Sequence, residues 1–304
     1  MNYEIKLLMV VLVWGINYVI IPYGLGPFGA GPFTLVRFTL SLPLLFLLLL
    51  RHRTFAIERV DWPRLALIGL VGIAGYQAAF AAAVDATTTA NAAILFSLSP
   101  IFSVLLNRIS GREHPSWINW VGLILAFIGG LVLILSDGSI FTLNADHRKG
   151  DLLMLAAALF WALAAFISER CLKKYGGLKV TAWSLPSGII GLLLFSGYDT
   201  FNLDFSSMPS SAWWALSFAV LGATVIGVVL FYDAVPHLGT RRVMSYMYLI
   251  PVIAIFSECL ISGVWLNVMQ GIGIILALCG VALARKKTYP MVDFGISSAT
   301  NLKA

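Results

Sequence analysis

The amino-acid sequence predicts an all-α polytopic membrane protein: ten transmembrane helices in two inverted five-helix repeats, with both termini in the cytoplasm. Three observations carry that expectation. Hydrophobic residues fill 60% of the 304 positions and charged residues 11%, and the mean hydropathy is +0.91, far from a water-soluble domain. A pattern also recurs: Pro100 is followed by Gly122 and Gly129, and Pro251 by Gly273 and Gly280, at identical spacing inside two apolar profiles of the same shape. Finally, Lys and Arg gather in alternate short loops, as they do in cytoplasmic connections.

An apolar run of roughly 20 residues crosses the hydrocarbon as a helix, because only helices and closed barrels satisfy every backbone group there. The runs are continuous, which excludes the alternating strands of a barrel. In order they are Leu7 to Ile21, Pro32 to Leu50, Leu65 to Val84, Ala92 to Ile109, Trp117 to Leu135, Leu152 to Ser168, Val180 to Gly197, Ala212 to Tyr232, Val243 to Ile261 and Leu266 to Ala284. The shorter ones carry polar residues and are expected to border a cavity where the bilayer thins. The first run ends at Pro22-Tyr23-Gly24 without a small-residue cleavage site, which reads as an uncleaved span and not a signal peptide. Within the spans, Pro marks a kink and Gly a close approach between helices.

Of the twenty Lys and Arg, a cytoplasmic N-terminus places seventeen on that face, from Lys6 to Lys303; Arg148 and Lys149 fall outside and Arg37 lies within a span. The net charge of +6 therefore follows the membrane, and the partner it implies is the bilayer and its anionic headgroups, not nucleic acid. Five spans per repeat is an odd number, so the second copy enters the membrane inverted. A pseudo-two-fold axis then runs in the membrane plane, with a cavity where the halves meet. Trp14 echoes Trp161 and Pro43 echoes Pro186. The repeats are expected over residues 1–140 and 150–287, followed by a disordered cytoplasmic tail, 288–304, that has no apolar run.

Cys259 and Cys279 lie in apolar runs and Cys171 in a short loop, without metal-ligand spacing or a disulfide framework. His52, His114, His147 and His237 read as surface residues of loops, and Asp85 and Asp233 as solvated span ends. No metal, cofactor or catalytic residue is assigned. Polar and aromatic groups inside the spans are the candidates for a wet central cavity. Trp14 is a candidate solute-binding residue, and Asn17, one turn from it, is either a cavity hydrogen-bonding group or interhelical glue. Tyr76, Gln77 and Phe80 give the third span an aromatic and amide face, as cavity wall or as packing. Trp161 sits at mid-depth, away from the interface where Trp normally collects, and reads as cavity wall. Tyr246 is the ninth-span candidate. Arg37 stands about 7 Å from the outer end of its span. It either snorkels or pairs with Glu258 as a structural or gating contact, and Glu258 is alternatively a proton-coupling carboxylate.

Trp14-Gly15-Ile16-Asn17, Arg37, Ser99-Pro100-Ile101-Phe102 and the run Asn119 to Leu133 with Gly122, Gly129 and Gly130 resemble the drug/metabolite transporter superfamily, in particular its EamA-type ten-helix exporters. The resemblance spans Leu7 to Ala284. Glu113 stands where family members often carry an acid, but the second half has Val264 and Trp265 at the matching place, so a paired role for those acids is not expected. The resemblance implies a secondary transporter, not an enzyme. Its cargo would be small metabolites, amino acids above all and aromatic or hydrophobic ones in particular, exported by alternating access. It would be a monomer or weak dimer in a bacterial inner membrane, coupled to protons or to the membrane potential. No phosphate-binding G-x-x-x-x-G-K-[ST] loop for ATP is present. A carrier of drugs or other metabolites on the same scaffold is the alternative. A membrane enzyme acting on a lipid-linked substrate would have to draw on Ser99, Glu113, His114 and Asp85, which no motif links.

Overall fold

The computed structural model describes residues 2–51, 55–112, 114–136, 147–263 and 266–286, and all regular structure among them is helical. Eight stretches are long and apolar enough to cross a membrane. One of them, α9 (Arg148–Phe201), is 54 residues long and changes direction at Gly176, whose φ of 77° and ψ of 169° are not helical. A further apolar helix, α14 (Val268–Ala284), has 17 residues.

Helix α1 (Tyr3–Ile20) is capped by Asn2, whose side chain accepts from the backbone N–H of Glu4 at 3.1 Å. The short α2 (Pro22–Phe28) follows, where the sequence reads only as a break, and then α3 (Ala30–Arg51). The next crossing begins as α4 (Trp62–Gly69), widens into a π-helical segment over Leu70–Gly75 and ends as α5 (Tyr76–Val84). Helices α6 (Thr89–Phe96), α7 (Ser99–Ile109) and α8 (Trp117–Leu135) complete the first part. After α9 come α10 (Ser210–Phe218), a second π-helical segment over Ala219–Val228, and α11 (Val229–Leu238). Then follow α12 (Thr240–Ser245), a 3₁₀ turn over Tyr246–Leu249, α13 (Ile250–Ser262) and α14.

The echo seen in the sequence extends to the element boundaries. Thr89 and Thr240 open α6 and α12, Ser99 and Ile250 open α7 and α13, and Trp117 and Val268 open α8 and α14, each pair 151 positions apart. The caps match as well. Ser116 and Asn119 form a capping box before α8, and Asn267 and Gln270 form one before α14. Pro100 and Pro251 do not kink a continuous helix as expected. Each is the second residue of a new helix, where a missing N–H leaves no bond unmade and the fixed φ suits the first turn. Gly29, between α2 and α3, and Gly176, inside α9, turn the chain with φ of 79° and 77°, and a side chain at either would be strained.

The glycines of the repeated pattern meet one another. Helices α8 and α14 cross so closely that a Cβ on Gly122 or on Gly129 would stand 2.8 Å from the carbonyl oxygen of Gly280 or Gly273, respectively. Small residues are what permit backbones to approach in this way, and dispersion between them supplies the attraction that lipid does not. The segment carrying Cys171, expected as a loop, is helical, and Cys171 is buried. One glycine at Gly176 takes the whole change of direction, so the residues before it keep their helical bonds. Residues His52, Glu113, Val264 and Trp265 and the tail 288–304 lie outside the described residues.

Candidate functional site

The bundle holds a cavity of about 540 Å³. It runs from mid-depth, at Trp14, Trp161 and Met247, toward the end of the bundle formed by Pro22, Ala30, Val84 and Thr88. Both π-helical segments border it, contributing Gly72, Ile73, Ala223 and Val228. A π segment adds a residue to the turn and shifts the helix face. Such segments recur at functional sites for that reason.

The inner wall is aromatic. Trp14 and Trp161 meet edge to face at 5.8 Å, Trp161 and Tyr76 lie 5.2 Å apart, and Tyr76 stacks on Phe96 at 5.6 Å. Phe80 closes the group, 6.0 Å from Tyr76 and 5.9 Å from Phe96. These spacings are those at which aromatic rings attract beyond their shared burial. Two indole N–H groups are engaged: Trp14 Nε1 donates to the Ala223 carbonyl at 2.9 Å, and Trp161 Nε1 to Met247 Sδ at 3.2 Å. Asn17 and Gln77 are buried at the cavity edge, and Asn17 Oδ1 has no hydrogen-bond partner among the described residues.

Six of the seven residues expected to bind a solute thus line one cavity: Trp14, Asn17, Tyr76, Gln77, Phe80 and Trp161. Tyr246 does not. It is buried nearer the end of the bundle where α1 begins, with the Arg285 guanidinium 4.8 Å from its ring centre. The 3₁₀ turn that starts at Tyr246 changes the register, and Met247 faces the cavity in its place. Arg37 lines the cavity and donates from Nε to Thr224 Oγ1 at 2.7 Å, on the second π segment. The Arg37 to Glu258 pair does not form. Glu258 is exposed on α13, within a turn of its end, where a carboxylate reaches the headgroup region at less cost than in the bundle.

Tyr18, Thr34, Phe96, Thr181, Ser184 and Tyr232 also line the cavity and were not expected. Tyr18 follows Asn17 directly, which is the one cue the sequence holds for it. Tyr232 lies beyond the second π segment, so a regular helical period misplaces it.

At the end where α1 begins, ion pairs close the bundle. Glu4 meets Arg242 and, at 2.6 Å, Arg285. Lys6 meets Asp233, and Tyr3 stacks on His237 at 3.9 Å. Asp233 is therefore an ion-pair partner where a solvated cap was expected, and His237 lies within α11 and not in a loop. The start of α1 packs against α11, which brings Lys6 to Asp233, while His237 stays exposed on the surface.

The EamA-like transporter family model matches residues 1–135 and again 148–285. A protein named uncharacterized transporter from Archaeoglobus fulgidus is 27% identical over 94% of this chain and 98% of its own length. A protein named probable amino-acid metabolite efflux pump from Salmonella typhimurium is 26% identical over 90% and 91%. A crystal structure of a protein 18% identical covers 93% of this chain and 96% of its own with a TM-score of 0.79, which shows the same fold. The chain is a multi-pass membrane protein and belongs to the EamA-like transporter family of the drug/metabolite transporter superfamily.

Proposed function

We propose that this protein is a secondary transporter that exports small metabolites, amino acids first and aromatic or hydrophobic ones in particular, across the cytoplasmic membrane of a bacterium by alternating access. The observation that carries this reading is the aromatic-walled cavity, shut at one end by ion pairs between α1 and the second part of the chain. It is large enough for an amino acid and has the mixed aromatic and amide lining such a solute needs.

The reading takes α9 as two spans joined at Gly176 and α14 as a full span, which brings the count to ten. Two family-model matches and the matched element starts favour two inverted repeats, residues 1–140 and 150–287. The end closed by Glu4, Arg242 and Arg285 is then cytoplasmic, because the basic loops gather there. The name of the Salmonella relative supports amino-acid cargo and outward direction. Transport is driven by a proton gradient or by the membrane potential, and the protein works as a monomer or weak dimer.

Purified protein in liposomes, given a panel of labelled amino acids with and without a proton gradient, tests this directly. Uptake of aromatic or hydrophobic amino acids is expected, reduced about tenfold in Trp161→Ala, the loss expected when an aromatic contact worth 0.5–1.5 kcal/mol disappears along with its buried area. Flux of drugs or choline-like cations without flux of any amino acid would move the cargo to the other classes carried on this scaffold.

A further inference from the structure

Arg37 carries the one formal charge among the described residues lining the cavity, and no Asp or Glu lines it. Its Nε–H is committed to Thr224 Oγ1 at 2.7 Å, and Thr224 in turn donates to the Ala219 carbonyl at 3.0 Å. The two terminal amino groups of the guanidinium make no hydrogen bond to a described residue. A cation held at membrane depth without a counter-charge is costly unless something anionic visits it. The arrangement is also selective. With Nε tied to a threonine that is itself anchored, the remaining end-on fork of two N–H groups matches the two oxygens of a carboxylate.

We propose that Arg37 docks the carboxylate of the transported solute while the Trp14, Trp161 and Tyr76 wall takes its apolar end, so that the cargo is a small amphipathic carboxylate and not an organic cation. This deepens the transport reading above and rests on it. It replaces the gating role expected for Arg37 with a solute-binding one. An amino acid satisfies the chemistry, as does its analogue without the amino group. The corresponding amine does not.

Competition for counterflow in proteoliposomes, read alongside quenching of tryptophan fluorescence, separates these chemistries with four probes: L-phenylalanine, 3-phenylpropionate, 2-phenylethylamine and phenyl phosphate. In the wild type the two carboxylates should compete at least about tenfold better than the amine, the worth of one charge-assisted pair. Arg37→Gln should bring the carboxylates down to the level of the amine and leave the amine unchanged, and Arg37→Lys should recover part of the difference. Thr224→Val, which frees the guanidinium without removing it, should weaken the carboxylates about threefold or more. It carries the test if Arg37→Gln does not yield folded protein. Equal competition by the amine, equal weakening of all probes in Arg37→Gln, or preference for phenyl phosphate would each overturn the assignment. If none of the four competes while another solute is carried, the assignment falls and the transport reading stands. If no solute moves in any arm, the transport reading itself fails.

Discussion

Trp14 and Trp161 occupy echoing places in the sequence and do different work with their indole N–H groups. Trp14 ties α1 to the second π segment through the Ala223 carbonyl, and a Cβ on neighbouring Gly227 would collide with its ring. Trp161 spends its N–H on a methionine sulfur, a weak acceptor. Trp14→Phe should therefore cost about 1 kcal/mol, because the bond that ties α1 to the Ala223 carbonyl is lost. Trp161→Phe should cost well under half of that. Thermal unfolding in detergent checks it: Trp14→Phe should melt several degrees lower and Trp161→Phe within about 2 °C of wild type. An equal shift in both would show that the ring contacts, and not the hydrogen bonds, set the difference. Trp161 was legible as a wall residue from its identity and depth alone. What identity does not show is the partner, since neither Ala223 nor Met247 advertises itself as an acceptor, and the ninth-span expectation fell on Tyr246 while Met247 is the residue at the cavity.

Helices α8 and α14 show how much of an element the sequence can hold. Their Pro and Gly spacing was readable because the residues that recur are the ones that touch, so a pattern in one dimension is also a contact in three. The breaks were less readable. Hydropathy does not distinguish one long span from α6 and α7 meeting at a Pro, nor a regular helix from one widened over Leu70–Gly75 or Ala219–Val228, since apolar composition is the same in each. The same blindness hid Tyr232 from the cavity. The α8 and α14 contact gives a sharp contrast. Gly129→Leu would drive a branched side chain into the backbone of Gly273 and Ala277, whereas Gly271, on the same partner helix, has nothing within 4 Å of its Cβ position. Gly129→Leu should abolish the monodisperse peak in size-exclusion chromatography, and Gly271→Leu should change stability by less than about 0.5 kcal/mol. Tolerance of Gly129→Leu would mean that these helices do not cross as closely as described.

At the scale of the whole molecule, the closed end is the feature on which the alternating access proposed above depends. Glu4 accepts from both Arg242 and Arg285, so one carboxylate joins α1, α12 and the end of α14. Behind it α7 presents Ser99, Ser103 and Asn107 on one face, all buried and each with a side-chain oxygen that has no hydrogen-bond partner among the described residues. Buried polar oxygens left unpaired are disfavoured in this conformation and become satisfied if water enters, so the α7 face fits the wall of a vestibule that fills when this end opens. The ion pairs oppose that opening. Their side chains are 23% to 30% exposed, so Glu4→Gln should weaken closure by about 1 kcal/mol and not by the several that a dry pair commands, raising the open population about fivefold. A cysteine at Ser103, in a chain whose three native cysteines are replaced by alanine, reports that population through its rate of reaction with a small polar thiol reagent. The rate should rise about fivefold in Glu4→Gln, rise again when Asp233→Asn releases Lys6, and fall when solute holds the cavity in the closed form. A rate indifferent to Glu4 and Asp233 would mean that the ion pairs fasten the bundle without governing its opening, and the gate would then have to be sought among the packed side chains between Tyr246 and Trp161.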